Sequence, residues 1–153
     1  SVANRSQTDL FVSVHVNANR RRHVAGVEVY YPRESVIDPS ASLPPRVQPL
    51  EVDALTTTLR HVLWDLVLSR SRRQSAVMAD HICRAMQTRL GAPCRGTRGA
   101  RFVVLREAWM PSVLVEVGYI SNRQEAQRLS RSSYRQTIAK AIAEGLVSYV
   151  NHL

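Results

Sequence analysis

The chain predicts an α/β domain: a mostly parallel, twisted sheet with helices on both faces. Short β-branched runs alternate along it with longer segments of helical periodicity, the pattern of a sheet clothed by helices. Its 153 residues are 44% hydrophobic and 22% charged, ordinary for a single folded domain (1–153) able to bury a core. Two of the expected strands carry an imidazole and a carboxylate near their C-terminal ends, where open α/β sheets gather ligands and catalytic groups.

The first strand is Leu10–Val16, β-branched and aromatic, between Asp9 and the loop Asn17-Ala-Asn19. His15 lies near its end, on the strand face of Phe11 and Ser13. A basic loop leads to a second strand, Gly26–Tyr31, which Pro32 ends. Ser35–Pro49, with Pro39, Pro44, Pro45 and Pro49, reads as an irregular surface excursion. Val52, Leu55, Leu59, Val62, Leu63 and Leu66 then have helical spacing, and Ser69–Ser75 is expected to break that helix. A second helix carries Met78, Ile82, Met86 and Leu90 inward and stops at Gly91 and Pro93. Arg101–Leu105 reads as a strand, followed by the strand of Glu116. Asn122 and Glu125 have capping-box spacing for a short helix. A last helix begins near Ser132 or Ser133, with Tyr134, Ile138, Ile142 and Tyr149 facing inward.

The most informative stretch is Pro111–Asn122. Val113, Val115 and Val117 alternate with Leu114 and Glu116, so strand geometry puts Glu116 opposite the valines. A carboxylate in so apolar a strand is costly unless something pairs with it or uses it. Two readings follow with equal weight: a general base or metal-site acid, or a strand-end Glu that is solvated or paired with an arginine. His15 alone reads more readily as a structural histidine; with Glu116 it forms a constellation that neither makes alone.

The net charge of +9 is almost entirely arginine, with Lys140 the only lysine. Such a surface suits an anionic partner, whether nucleic acid, acidic lipid or a cell-wall polymer. The clusters Arg20-Arg21-Arg22 and Arg70–Arg73 lack interleaved aromatics, and no nucleic-acid-binding signature is present, so nucleic acid is not the expected partner. No apolar run approaches the ~20 residues of a membrane helix, and the start lacks a signal-peptide core. Cys83 and Cys94 lack close metal-ligand spacing; a disulfide and two free thiols both remain open. His61 and Asp65 read as an exposed pair four apart, and His81 as a surface helix residue.

Asp9-Leu-Phe-Val-Ser-Val-His-Val-Asn-Ala18 resembles the "DLFVSIHANA" segment of the zinc-dependent N-acetylmuramoyl-L-alanine amidases, which cut bacterial peptidoglycan. Gly26–Tyr31, Phe102–Arg106 and the Glu116 stretch are similar to further segments of that family, in the same order and nearly end to end. The resemblance implies a phosphorylase/hydrolase-like fold and a zinc ion held by His15, with Glu116 as the catalytic glutamate. Asn17 would line the cleft and bind substrate. The bond cut would join the lactyl group of N-acetylmuramic acid to the L-alanine of the stem peptide. Peptidoglycan would be the partner, with an extracytoplasmic location. Ser35–Pro49 is where some relatives carry regulatory insertions, and no regulatory protein is identified by the sequence.

One departure stands out. The resemblance assigns two further zinc ligands, a His and a Glu, to a strand and helix preceding the His15 strand. A strand-helix-strand unit takes about 30 residues or more, and the chain starts just before that strand. The expectation is a catalytic domain lacking its N-terminal strand and helix, which binds zinc poorly by itself. The alternatives are a non-catalytic peptidoglycan-binding relative, or replacement ligands from His23, Glu28 or Glu34.

Overall fold

The computed structural model describes residues 2–6, 8–33, 57–106 and 108–153. Along the chain run α1 (Val2–Arg5), β1 (Phe11–Asn17), β2 (Val27–Pro32), α2 (Thr57–Leu90) and β3 (Cys94–Ala100). They are followed by α3 (Val103–Arg106), β4 (Ser112–Tyr119), α4 (Arg123–Ser130) and α5 (Ser132–Val150). The strands form one sheet in the order β1-β4-β2-β3. β1 pairs with β4 in parallel and β2 with β3 in parallel, while β2 and β4 run antiparallel. The sheet is therefore mixed with a parallel majority, and the α/β class is the one the alternation of elements predicts.

Period-two alternation sorts the sheet into two chemically different faces. Val27 and Val29 of β2 and Val113, Val115 and Val117 of β4 are buried in one cluster with Met78, Ile82 and Met86 of α2 and Ile138 and Ile142 of α5. α5 crosses α2 at Gly145, where a Cβ would stand 2.6 Å from Ile82 Cα. The opposite face carries Ser13 and His15, Leu114 and Glu116, and Glu28 and Tyr30. Beside it, Phe102 packs edge-on against Tyr30, ring centroids 5.2 Å apart.

Three local expectations are corrected. The break at Ser69–Ser75 does not occur: α2 is one helix of 34 residues. The segment holds no Gly or Pro, and the buried Ser75 hydroxyl donates to the Ser71 carbonyl at 2.7 Å while accepting the Ser112 N–H at 2.9 Å. A polar stretch that looks like a linker is thus a helix turn docked on β4. In the N-terminal half, Trp64 and Leu68 face inward, whereas Leu59, Val62 and Leu66 are exposed. Trp64 fixes that rotation by packing against Trp109, centroids 5.5 Å apart.

The third correction concerns Arg101–Leu105. The strand is Cys94–Ala100, and Val103–Arg106 is a helical turn with Leu105 buried and Val103 64% exposed. Backbone pairing with β2 decides this over side-chain propensity. Val27 pairs with Cys94 and Val29 with Thr97, so β3 holds an extra residue, accommodated by Gly96 at φ +113°. The two cysteines, left open by the sequence, are disulfide-bonded with Cα atoms 5.8 Å apart, tying α2 to β3. The Ser35–Pro49 excursion, the helix positions Val52 and Leu55, and Glu34 lie outside the described residues.

Candidate active site on the open sheet face

His15 and Glu116 occupy the same register on adjacent parallel strands, and Glu28 is the register partner of Glu116 on its other side. An imidazole and two carboxylates thus stand in a row across three strands, each step about 4.8 Å. The two carboxylates meet different surroundings.

Glu28 is 5% exposed and fully engaged. The hydroxyls of Tyr30 and Tyr119 donate to its Oε2 at 2.7 and 2.9 Å, and Arg95 Nε donates to Oε1 at 3.2 Å. Burial pushes its pKa up, but these donors and the nearby charge of Arg98 outweigh burial and hold it below the ordinary carboxylate value. Burial, then the bond to Glu28, pushes the Tyr119 phenol up to about 12.

Glu116 is half-buried, and its Oε2 is buried without a hydrogen-bond partner. Burial raises its pKa and the Glu28 charge adds to the rise, against a lowering by His15. One carboxylate is therefore a fixed anion, and its neighbour is a less stabilised one with an oxygen to offer. His15 is exposed, its Nε2 lying 2.8 Å from Ser13 Oγ. Asn17 follows a register shift after His15, and its side-chain oxygen accepts the Ala18 N–H at 2.7 Å. The Asn19 N–H is held by Ser121 Oγ at 2.9 Å, so the loop after β1 is fastened to the turn after β4.

A residue that sequence reasoning placed but misread is Glu125. Asn122 caps α4 by accepting the N–H groups of Gln124 and Glu125, but the Glu125 carboxylate serves the sheet. Its Oε2 accepts the Tyr119 N–H at 2.7 Å and its Oε1 the Gly26 N–H at 2.9 Å. Glu125 thereby pins the end of β4 to the start of β2, the two strands that carry Glu116 and Glu28. The sequence offers Glu28 only as a substitute metal ligand; the tyrosines two residues after it and three after Glu116 are the signal for its hydrogen bonds.

The donor set falls short of what zinc requires. A catalytic zinc ordinarily takes three protein ligands. Among the described residues no group of three or more His, Cys, Asp or Glu is placed to hold a metal ion. The Glu28 carboxylate already carries three donors, and His23 is an exposed loop residue. The described residues do not by themselves fit a zinc site. A cavity of about 430 Å³ lies elsewhere, bordered by Leu90, Arg128, Arg131 and Tyr134. It holds neither the imidazole nor the carboxylates, so the open face is the better candidate.

The sheet and its polar face define an α/β domain with acid–base groups juxtaposed on neighbouring strands. The chain belongs to the N-acetylmuramoyl-L-alanine amidase family: the Amidase_3 profile matches residues 1–148. It is 32% identical to the N-acetylmuramoyl-L-alanine amidase AmiA of Escherichia coli, over 97% of this chain and 54% of that protein. It is 31% identical to LytC of Bacillus subtilis, over 94% of this chain and 22% of that one. Among solved structures, the amidase AmiC2 of Nostoc punctiforme superposes with TM-score 0.69 at 28% identity, covering 98% of this chain and 62% of the other. The chain thus spans about half the length of AmiA. No helix among the described residues is long and apolar enough to cross a membrane.

Proposed function

We propose that this chain forms part of a peptidoglycan amidase that hydrolyses the amide between the lactyl group of N-acetylmuramic acid and the L-alanine of the stem peptide. The observation that carries this reading is the contrast between the two neighbouring carboxylates. Glu28 is saturated with donors, while Glu116 keeps a buried, unpartnered oxygen and a raised pKa beside His15. A carboxylate so placed is a stronger base than an ordinary glutamate. It takes a proton from the attacking water and passes it to the departing amine nitrogen.

His15 is the residue we assign to the family's zinc. Zinc dependence would require donors beyond those the described residues supply, and the family's further His and Glu are the expected ones. Asn17 shapes the loop at the rim of the face, where it would meet substrate. An extracytoplasmic location follows from the substrate, and the Cys83–Cys94 disulfide supports it, since such bonds persist in oxidising compartments.

The test is release of stem peptides from purified peptidoglycan by the full protein, with and without a chelator, and by its Glu116→Gln variant. Loss of release in both supports the reading. Capture on the wall without any turnover by the unmodified protein would replace it with a binding role.

A further inference from the structure

The open face is electrically lopsided. Its β1 flank carries Ser13 and His15, whereas its β3 flank carries Arg95 and Arg98. Arg95 is committed, its Nε bonded to Glu28 at 3.2 Å. Arg98 is not: it is exposed, and it makes no hydrogen bond or ion pair with the described residues.

Arg98 nevertheless belongs to this face. It is the register partner of Tyr30, whose phenol bonds Glu28 on the same side of the sheet, and partners in a parallel pair share a face. Its charge reaches both Glu28 and Tyr30.

Building on the amidase reading, we propose that Arg98 is a specificity-determining residue that binds the first free carboxylate of the stem peptide beyond the bond to be cut. β3 lies two strands from β4, and Arg98 is level with Leu114, two residues from Glu116, so it stands roughly 10 Å across and ~7 Å along the sheet from Glu116, about 12 Å in all. An extended peptide covers that in about three to four residues at ~3.3 Å each, and the long arginine side chain shortens the gap. A carboxylate a short way down the stem therefore reaches Arg98 while the scissile amide rests against Glu116. Guanidinium and carboxylate match as paired N–H donors and oxygens. Among the strand residues, guanidinium groups come only from β3, so the anionic peptide lies toward β3. The polarity of the face sets the direction in which substrate binds.

The test uses two synthetic N-acetylmuramyl peptides that differ only in whether the first stem carboxylate is free or a carboxamide. Affinity is read by calorimetry on the full protein carrying Glu116→Gln, which prevents turnover, and cleavage is read separately on the unmodified protein. The free acid is expected to bind about five- to tenfold more tightly than the amide. Adding Arg98→Gln should abolish that preference without changing affinity for the amide, and Arg98→Lys should restore part of it. Equal binding of acid and amide overturns the proposal. So does a preference that survives Arg98→Gln, or one removed instead by glutamine at Arg20, Arg21 and Arg22. Cleavage of both peptides with no preference would leave the amidase reading standing and the Arg98 anchor refuted. An Arg98-dependent preference without any cleavage would do the reverse.

Discussion

His15 and Glu116 stand side by side at one register of the β1–β4 pair, on the sheet face opposite the valines that pack against α2. The pairing is parallel, so both side chains approach the same space from neighbouring strands. Beyond Glu116, Glu28 closes the row as a charge held by two phenols and a guanidinium. The chemistry proposed for this face depends on that sequence of neighbours.

Glu125 should matter to stability out of proportion to its distance from the reacting groups. Its carboxylate satisfies two backbone N–H groups, those of Tyr119 and Gly26, in a buried setting. Glu125→Ala strands both donors, at a cost of about 1–3 kcal/mol each. Urea unfolding should show a loss of roughly 2–5 kcal/mol; a loss within experimental error would mean the clamp is dispensable.

Glu28 makes stability pH-dependent. Its folded pKa lies below the ordinary value of 4.5, so between those two values the folded state binds fewer protons than the unfolded one. The stabilisation is therefore complete above that ordinary value and fades as pH falls through the folded pKa. Glu28→Gln should be less stable than the unmodified protein at pH 7, and the gap should narrow toward pH 3. A gap that stays constant across that range would show that the charge of Glu28 contributes nothing.

Where α5 crosses α2, the obstacle to any side chain at Gly145 is the backbone of Ile82, at 2.6 Å from Cα and 3.0 Å from N. Gly145→Ala must push the helices apart, and overpacking of this kind costs about 1–3 kcal/mol. Thermal unfolding should register it as a lowered Tm; an unchanged or raised Tm would contradict this packing.

The Cys83–Cys94 bond closes a short loop, with a sequence separation of 11, between α2 and β3. Loop-closure entropy assigns such a bond about 3 kcal/mol. Reduction should lower the Tm, and thiol titration of the unreduced protein should find neither cysteine free. Two titratable thiols before reduction would contradict the pairing.

Much of this was legible in the sequence because strand alternation is a strong signal. It put His15 on one face with Ser13 and separated Glu116 from the valines, and the structure places both groups so. The inward stripe of α5 was equally plain, with Ile138, Ile142 and Tyr149 all buried. The misreadings arose where tertiary contacts overrode local pattern. Ser75 docks on Ser112 and keeps α2 continuous. The glycine-containing Cys94–Ala100 becomes a strand because β2 offers it backbone partners, while β-branched Val103 and Val104 fall in a helical turn. Glu125 was recognised by its capping-box spacing, but its partners, Tyr119 and Gly26, come from the sheet. Spacing within one segment carries no information about an acceptor's long-range partner.

The central claim is that Glu116, beside His15, accepts the proton of the attacking water. Its most direct test compares stem-peptide release from purified peptidoglycan by the full protein and by Glu116→Gln, with matched Tm values confirming that both are folded. General-base catalysis predicts a fall of about 10²- to 10⁴-fold in kcat. A Glu116→Gln protein that releases stem peptides at the unmodified rate would contradict the account.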